Sequence, residues 1–161
     1  MKKAILAALS SVTFLHATGA KAEVNYDFSG HWQGSGKVQE EEMLGAVDAN
    51  FTIDIKNTNT NITIQECWTI PDKSQKAKKT CYDSDYSINQ SGQIFSAGEK
   101  IGDAFPKYII IFQGNTQVSE QMKFGIDSSG ALIFHYTYAN YDGGTQVRSS
   151  KLTRKSNIRG L

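Results

Sequence analysis

The chain carries the stretch DFSGHWQGSG at residues 27–36, in which a Gly-x-Trp sequence, Gly30-x-Trp32, is followed by two more glycines. This stretch opens the first of a series of predicted strands, at residues 29–39. From there to residue 155, turn residues recur at short intervals, and the long 3.6-residue periodicity of amphipathic helices is absent. The sequence therefore predicts an all-β protein.

Alternation of apolar and polar residues with a period of two marks the predicted strands, as where Phe51, Ile53 and Ile55 alternate with polar neighbours. The predicted segments are 29–39, 51–56, 62–70, 80–89, 93–96, 107–113, 117–126, 132–138 and 145–155. Short turns between these eight or nine strands favour an antiparallel up-and-down meander. We expect a closed or nearly closed barrel, because closure removes exposed strand edges, and a β-sandwich is the alternative. Residues 40–47 are expected to form a helical turn or flap, and residues 156–161 a tail.

Gly30-x-Trp32 at the start of the first strand, before a meander, resembles the calycin superfamily, which includes lipocalins, fatty-acid-binding proteins, avidins and nitrobindins. The resemblance implies that a basic residue of the last strand packs across this tryptophan and closes one end of the barrel. Arg154 shares strand parity with Leu152 and is the expected partner, with Arg148 as the fallback. The haem-ligating His region of nitrobindins is not found, since His135 lies mid-strand, and no cofactor or metal is predicted.

Residues 1–22 have the order of features of an export signal. Lys2 and Lys3 precede a short apolar run, and Ala20-Lys21-Ala22 offers a cleavage site before Glu23. The expected mature protein, residues 23–161, is a single domain in the bacterial periplasm or outside the cell. Its net charge of −2, three lysines having left with the signal, argues against a nucleic-acid partner. No further apolar run approaches the length of a membrane span, so we expect a soluble protein.

Cys67 and Cys81 are the chain's two cysteines, and in an exported protein they are expected to form one disulfide between neighbouring antiparallel strands. Such a bond would close the base of the loop at residues 71–79, which carries Lys73, Lys76, Lys78 and Lys79. This loop is either a plain solvated segment or a surface that faces an acidic partner.

Two functions from different classes remain open. The first is binding of a small apolar or amphipathic ligand inside the barrel, and the second is binding of an exported protein, such as a protease or lysozyme, by the 71–79 loop. No nucleophile motif is present, and an enzyme is not expected. Glu66 and Glu120 share parity with inward apolar neighbours, and a carboxylate there would bind a cationic group or act as a base, unless it lies at the rim or turns outward. The expected ligand-binding residues have inward parity: Glu66, Tyr86, Glu120, Met122, Phe134 and Tyr136.

Overall fold

The structure is a computed structural model, and it describes residues 28–41, 43–71, 77 and 79–155. The described residues form ten β-strands and no helix. In chain order these are β1 (Gly30–Gln39), β2 (Val47–Asn57), β3 (Asn61–Thr69), β4 (Lys79–Ile88), β5 (Gln93–Ser96), β6 (Glu99–Phe105), β7 (Tyr108–Gly114), β8 (Val118–Ile126), β9 (Leu132–Asn140) and β10 (Thr145–Arg154). The predicted export signal and the predicted tail at 156–161 lie outside the described residues.

The ten strands close into one antiparallel barrel, in which each strand pairs with its neighbours in sequence and β1 also pairs with β10. This confirms the predicted up-and-down barrel and rules out the sandwich. No helix in the described part of the chain is long and apolar enough to cross a bilayer. The barrel has a lower end, where the chain enters β1 and leaves β10, and an upper end, where β1 leads to β2 and β3 leads to β4.

The strand missing from the sequence prediction is β6, Glu99–Phe105. Its inward positions hold Gly102 and Ala104, which are too small to produce an apolar alternation. A Cβ atom added to Gly102 would lie only 2.2 Å from the backbone oxygen of Ile110, so the close approach of β7 requires glycine there. The strand is therefore specified by a tight fit between backbones rather than by hydrophobic pattern.

The described residues of the 40–47 segment contain no helix, so the expected helical turn is not found there, and the flap stays a prediction. The Met43 N–H donates to the Glu40 carbonyl, which makes a tight turn, and β2 already begins at Val47. β2 starts early because its pairing with β1 continues through Ala49, which faces inward and is buried, to Val47 opposite Val38.

The lower half of the barrel is filled by side chains. Trp32 is 1% exposed, and its indole N–H donates to the Phe28 carbonyl at 2.9 Å. Arg154 is the strand partner of Trp32 across the β1–β10 seam, and its guanidinium carbon lies 4.7 Å from the indole centroid. Above this contact, inward isoleucines and the rings of Phe51, Phe124 and Phe134 form one core cluster.

Gly30 fits this lower end for a local reason. Its φ of 142° lies in a region that L side chains rarely adopt, and an added Cβ would contact the Arg154 side chain at 3.3 Å. The glycine, the tryptophan and the arginine that the sequence grouped by resemblance thus meet at one place.

Candidate functional site

The upper half of the barrel contains a cavity of about 180 Å³. It lies among the inward faces of five strands, β3, β4, β8, β9 and β10. Its lining combines polar, charged, aromatic and a few aliphatic groups, contributed by Ile64, Glu66, Tyr82, Asp83, Ser84, Glu120, Met122, Tyr136, Tyr138, Gln146 and Arg148. The cavity thus differs in chemistry from the apolar packing beneath it.

Strand alternation places two opposite charges inside this half of the barrel. Glu66 follows Ile62 and Ile64 on the inward face of β3, and Arg148 precedes Leu152 on the inward face of β10. The two strands are not neighbours, since β1 and β2 separate them around the barrel wall. The two side chains therefore meet across the interior.

Glu66 and Arg148 form a bidentate ion pair. Arg148 Nε donates to Glu66 Oε1 at 2.9 Å, and Nη2 donates to Oε2 at 3.2 Å. The two residues are only 2% and 3% exposed. Removing both charges from water is costly, and the paired geometry offsets much of that cost.

Aromatic rings enclose the guanidinium of Arg148. Its central carbon lies 3.6 Å from the ring centroid of Tyr136, 4.5 Å from that of Trp68 and 5.3 Å from that of Tyr82. Trp68 and Tyr82 also stack on each other, with centroids 5.3 Å apart. Cation–π contacts of this kind contribute about 0.5–2 kcal/mol each, with the higher values at desolvated sites.

Burial and charge shift the pKa values of the groups around the cavity. Burial raises the pKa of Glu66 above its ordinary 4.5, while the Arg148 charge and hydrogen bond oppose that rise and Glu120 adds to it. Burial, together with the charge of Glu120, raises the pKa of the Tyr136 hydroxyl to about 12. The pKa of Tyr86 is also raised, chiefly by burial. The two tyrosines are therefore neutral at physiological pH.

Glu120 is the second inward carboxylate and is half-buried. Its charge helps to raise the pKa of Tyr136, and its strand partner on β9 is Tyr138. Within the described ranges, no Lys, Arg or His forms an ion pair with it. It therefore gives the cavity a negative charge that Arg148, already held by Glu66, does not balance.

Four of the six ligand-binding residues expected from the sequence line this cavity: Glu66, Glu120, Met122 and Tyr136. The other two, Tyr86 and Phe134, do not. Phe134 is buried in the ring cluster with Phe51 and Phe124, and Tyr86 lies one inward position below Ser84 on β4, toward the lower end. Inward parity selected the correct face of each strand but not the height along the barrel.

The sequence prediction missed Arg148, Tyr82 and Gln146 as cavity residues, and it missed Trp68 as a ring that packs on Arg148. Arg148 was considered only as a fallback partner for Trp32, whereas it pairs with Glu66 instead. A signal for this pairing existed, because Glu66 and Arg148 are opposite charges at inward positions of their strands. Two opposite charges inside one small barrel are expected to pair, because an unpaired buried charge is costly.

The disulfide between Cys67 and Cys81 is present and joins directly paired residues of β3 and β4, with Cα atoms 4.1 Å apart. Cys67 points to the outer face because Glu66 and Trp68 beside it point inward, and Cys81 is its directly paired partner on β4. The bond thus ties the two strands at the upper end. Lys73, Lys76 and Lys78 of the basic loop lie outside the described residues, and Lys79 is the first residue of β4.

The sequence matches no protein-family model and no curated protein. Its fold is similar to that of an S-type phycobiliprotein lyase, CPES, from Guillardia theta, with a TM-score of 0.51 and 8% sequence identity. The similarity covers 81% of this chain and 89% of that chain. At this identity the match concerns the fold, which is a closed antiparallel barrel, and it transfers no activity.

Proposed function

We propose that this protein is an exported barrel that binds a small amphipathic molecule in the upper cavity. The observation that carries the proposal is the contrast between the two halves of the interior. A barrel of about this width can be filled completely by side chains. Here the lower half is filled, but the upper half keeps a space of about 180 Å³.

The cavity walls are held in place before any ligand arrives. The two hydrogen bonds between Arg148 and Glu66 fix β10 against β3 across the interior, and the rings of Trp68 and Tyr136 pack on the same guanidinium. A preformed site spends less free energy on ordering when it binds. Rigid polar and aromatic walls are therefore suited to a specific small ligand.

The size and lining of the cavity limit the ligand. A dry engineered cavity of about 150 Å³ accommodates benzene, so the buried part of this ligand is about the size of one ring. Ile64 and Met122 supply apolar surface, while Glu120, Tyr138 and Gln146 supply polar groups. An apolar group would pack on the first pair and a polar group would bind to the second set.

The proposal is tested by filling the cavity. Ser84 lines the cavity and Ser87 lies on the outer face of the same strand, so Ser84→Trp and Ser87→Trp form a matched pair. Native mass spectrometry of protein purified from its own host compartment is expected to show a retained small molecule on the wild type and on Ser87→Trp, but not on Ser84→Trp. Equal retention by both variants would place the ligand elsewhere.

Export is part of the proposal and is supported by the disulfide, since such bonds persist in oxidising compartments. Amino-terminal sequencing of the protein recovered outside the cytoplasm is expected to begin at Glu23. Recovery of the uncleaved chain from the cytoplasm would contradict export.

Binding of an exported protein by the 71–79 loop is the second candidate, supported by the disulfide that ties β3 to β4 below this loop. Reversing the charges of Lys73, Lys76, Lys78 and Lys79 is expected to abolish capture of a protease or lysozyme partner while leaving thermal stability nearly unchanged. Capture by the reversed variant at wild-type strength would exclude this function.

A further inference from the structure

The charged groups that line the cavity indicate the sign of charge that a ligand would carry. Of the ionised groups that line the cavity, Glu66 and Arg148 neutralise each other through two hydrogen bonds. Asp83 accepts a hydrogen bond from Gln65 on the outer side of the barrel. Glu120 is left as the inward charge without an ionic partner among the described residues.

We propose that the upper cavity selects a small organic cation, such as an amine, with Glu120 as the counter-charge and Tyr138 and Met122 as the adjoining walls; this rests on the proposed ligand-binding function. A carboxylate has about four acceptor positions, which gives Glu120 room to accept from an ammonium donor. Tyr138 is the strand partner of Glu120, so its ring lies beside the carboxylate. Aromatic rings and methionine sulfur are favourable neighbours for a cation and its organic stem.

An anionic ligand fits the same cavity poorly. Among the described residues, the only cation that lines it is Arg148, which already donates to Glu66 through Nε and Nη2, with Nη1 directed at Gln146 Oε1 at 3.5 Å. An anion would have to take the two remaining N–H groups of Arg148 or displace Glu66, and in either case it would lie near two carboxylates. Unpaired charge of this kind in a buried site is strongly unfavourable.

The surface next to the cavity carries the same sign of charge. A broader depression of about 460 Å³ shares Gln146 with the cavity and is also lined by Glu40, Glu41 and Met43. Two more carboxylates therefore lie beside the cavity. Clefts lined by one sign of charge concentrate ligands of the opposite sign.

Three probes of nearly equal shape test the inference: benzylammonium, benzyl alcohol and benzoate. Isothermal titration calorimetry at low salt is expected to show benzylammonium binding at least about tenfold more tightly than benzyl alcohol, with benzoate the weakest. Glu120→Gln keeps the shape but removes the charge, and it is expected to abolish this preference. Glu99→Gln, at an exposed position of β6, is the matched control and is expected to retain it.

A measurement on the wild type alone tests the inference even if Glu120→Gln fails to fold. Raising the salt concentration is expected to weaken benzylammonium binding and to leave benzyl alcohol unaffected. Binding of benzyl alcohol that Ser84→Trp blocks, with no preference for the cation, would overturn the inference and leave the proposed function standing. Absence of binding by all three probes would overturn both the cation preference and the proposed ligand-binding function for ligands of this size.

Discussion

At each end of the barrel an arginine packs on a tryptophan, but the two arginines differ in their exposure to solvent. At the lower end, Arg154 is exposed and covers the buried Trp32. At the upper end, Arg148 is itself buried over Trp68 and needs Glu66 beside it. An exposed guanidinium keeps its hydration while its stem packs on the ring. A buried guanidinium has lost its hydration, so it requires a counter-charge and polar surroundings, and the cavity lies in those surroundings.

The largest effect is expected from removing the ring at the lower end. Trp32→Ala should lower the free energy of unfolding by about 3–5 kcal/mol, because a large buried aromatic is lost from a packed core. Arg154→Ala should cost about 1–3 kcal/mol, and the double variant should cost less than the sum, because the two side chains share one contact. Chemical denaturation of the four proteins measures the cycle. Strictly additive losses would show that the contact contributes no energy.

The upper pair should respond differently from the lower one. Glu66→Ala is expected to cost about 3–5 kcal/mol, because it leaves Arg148 buried without a counter-charge. Replacing both residues together, with Glu66→Leu and Arg148→Met, should be nearly neutral or stabilising, while ligand retention is lost. Denaturation combined with native mass spectrometry separates these effects. A double variant as unstable as Glu66→Ala would mean that the pair itself, rather than the orphaned charge, stabilises the barrel.

The β1–β10 seam connects both pairs, and its close approach depends on glycine. A Cβ atom added to Gly36 would lie 2.1 Å from the Ser149 backbone oxygen. Gly36→Ala must therefore shift a strand and is expected to cost about 1–3 kcal/mol. Ser35→Ala, at an exposed position of the same strand, should stay within about 0.5 kcal/mol of the wild type. Similar melting temperatures for the two variants would show that the seam can widen without cost.

The smallest effect concerns a lower-end turn and its pH dependence. The Lys151 charge, helped by hydrogen bonds from Ser129 and Ala131, holds the pKa of Asp127 well below its ordinary 3.8. Since the pKa is lower in the folded state, the stabilisation is present above the ordinary pKa and is lost as the pH falls through the folded value. The stability difference between the wild type and Asp127→Asn should therefore shrink as the pH falls from about 5 to about 2. Asp85→Asn serves as the control in the same denaturation series, and a pH-independent difference for Asp127→Asn would refute the prediction.

Much of the barrel followed from local pattern. Period-2 alternation and turn residues predicted eight or nine strands, and the cysteine pair predicted the β3–β4 bridge that the structure contains. These features depend on a residue and its near neighbours along one strand or one hairpin, which is why the sequence alone was sufficient. Strand β6 was not predicted because its inward residues are Gly102 and Ala104, and the fit of the glycine is set by the neighbouring backbone.

The candidate site was decided by tertiary structure. Sequence placed Glu66, Glu120 and Arg148 on inward faces, but it did not determine which charges would meet. The pairing of Glu66 with Arg148 joins residues 82 positions apart on strands that are not neighbours in the sheet. It depends on the number of strands, their register and the resulting width of the barrel, and a short sequence pattern encodes none of these. Barrel closure brings the two charges together and leaves Glu120 without an ionic partner among the residues described.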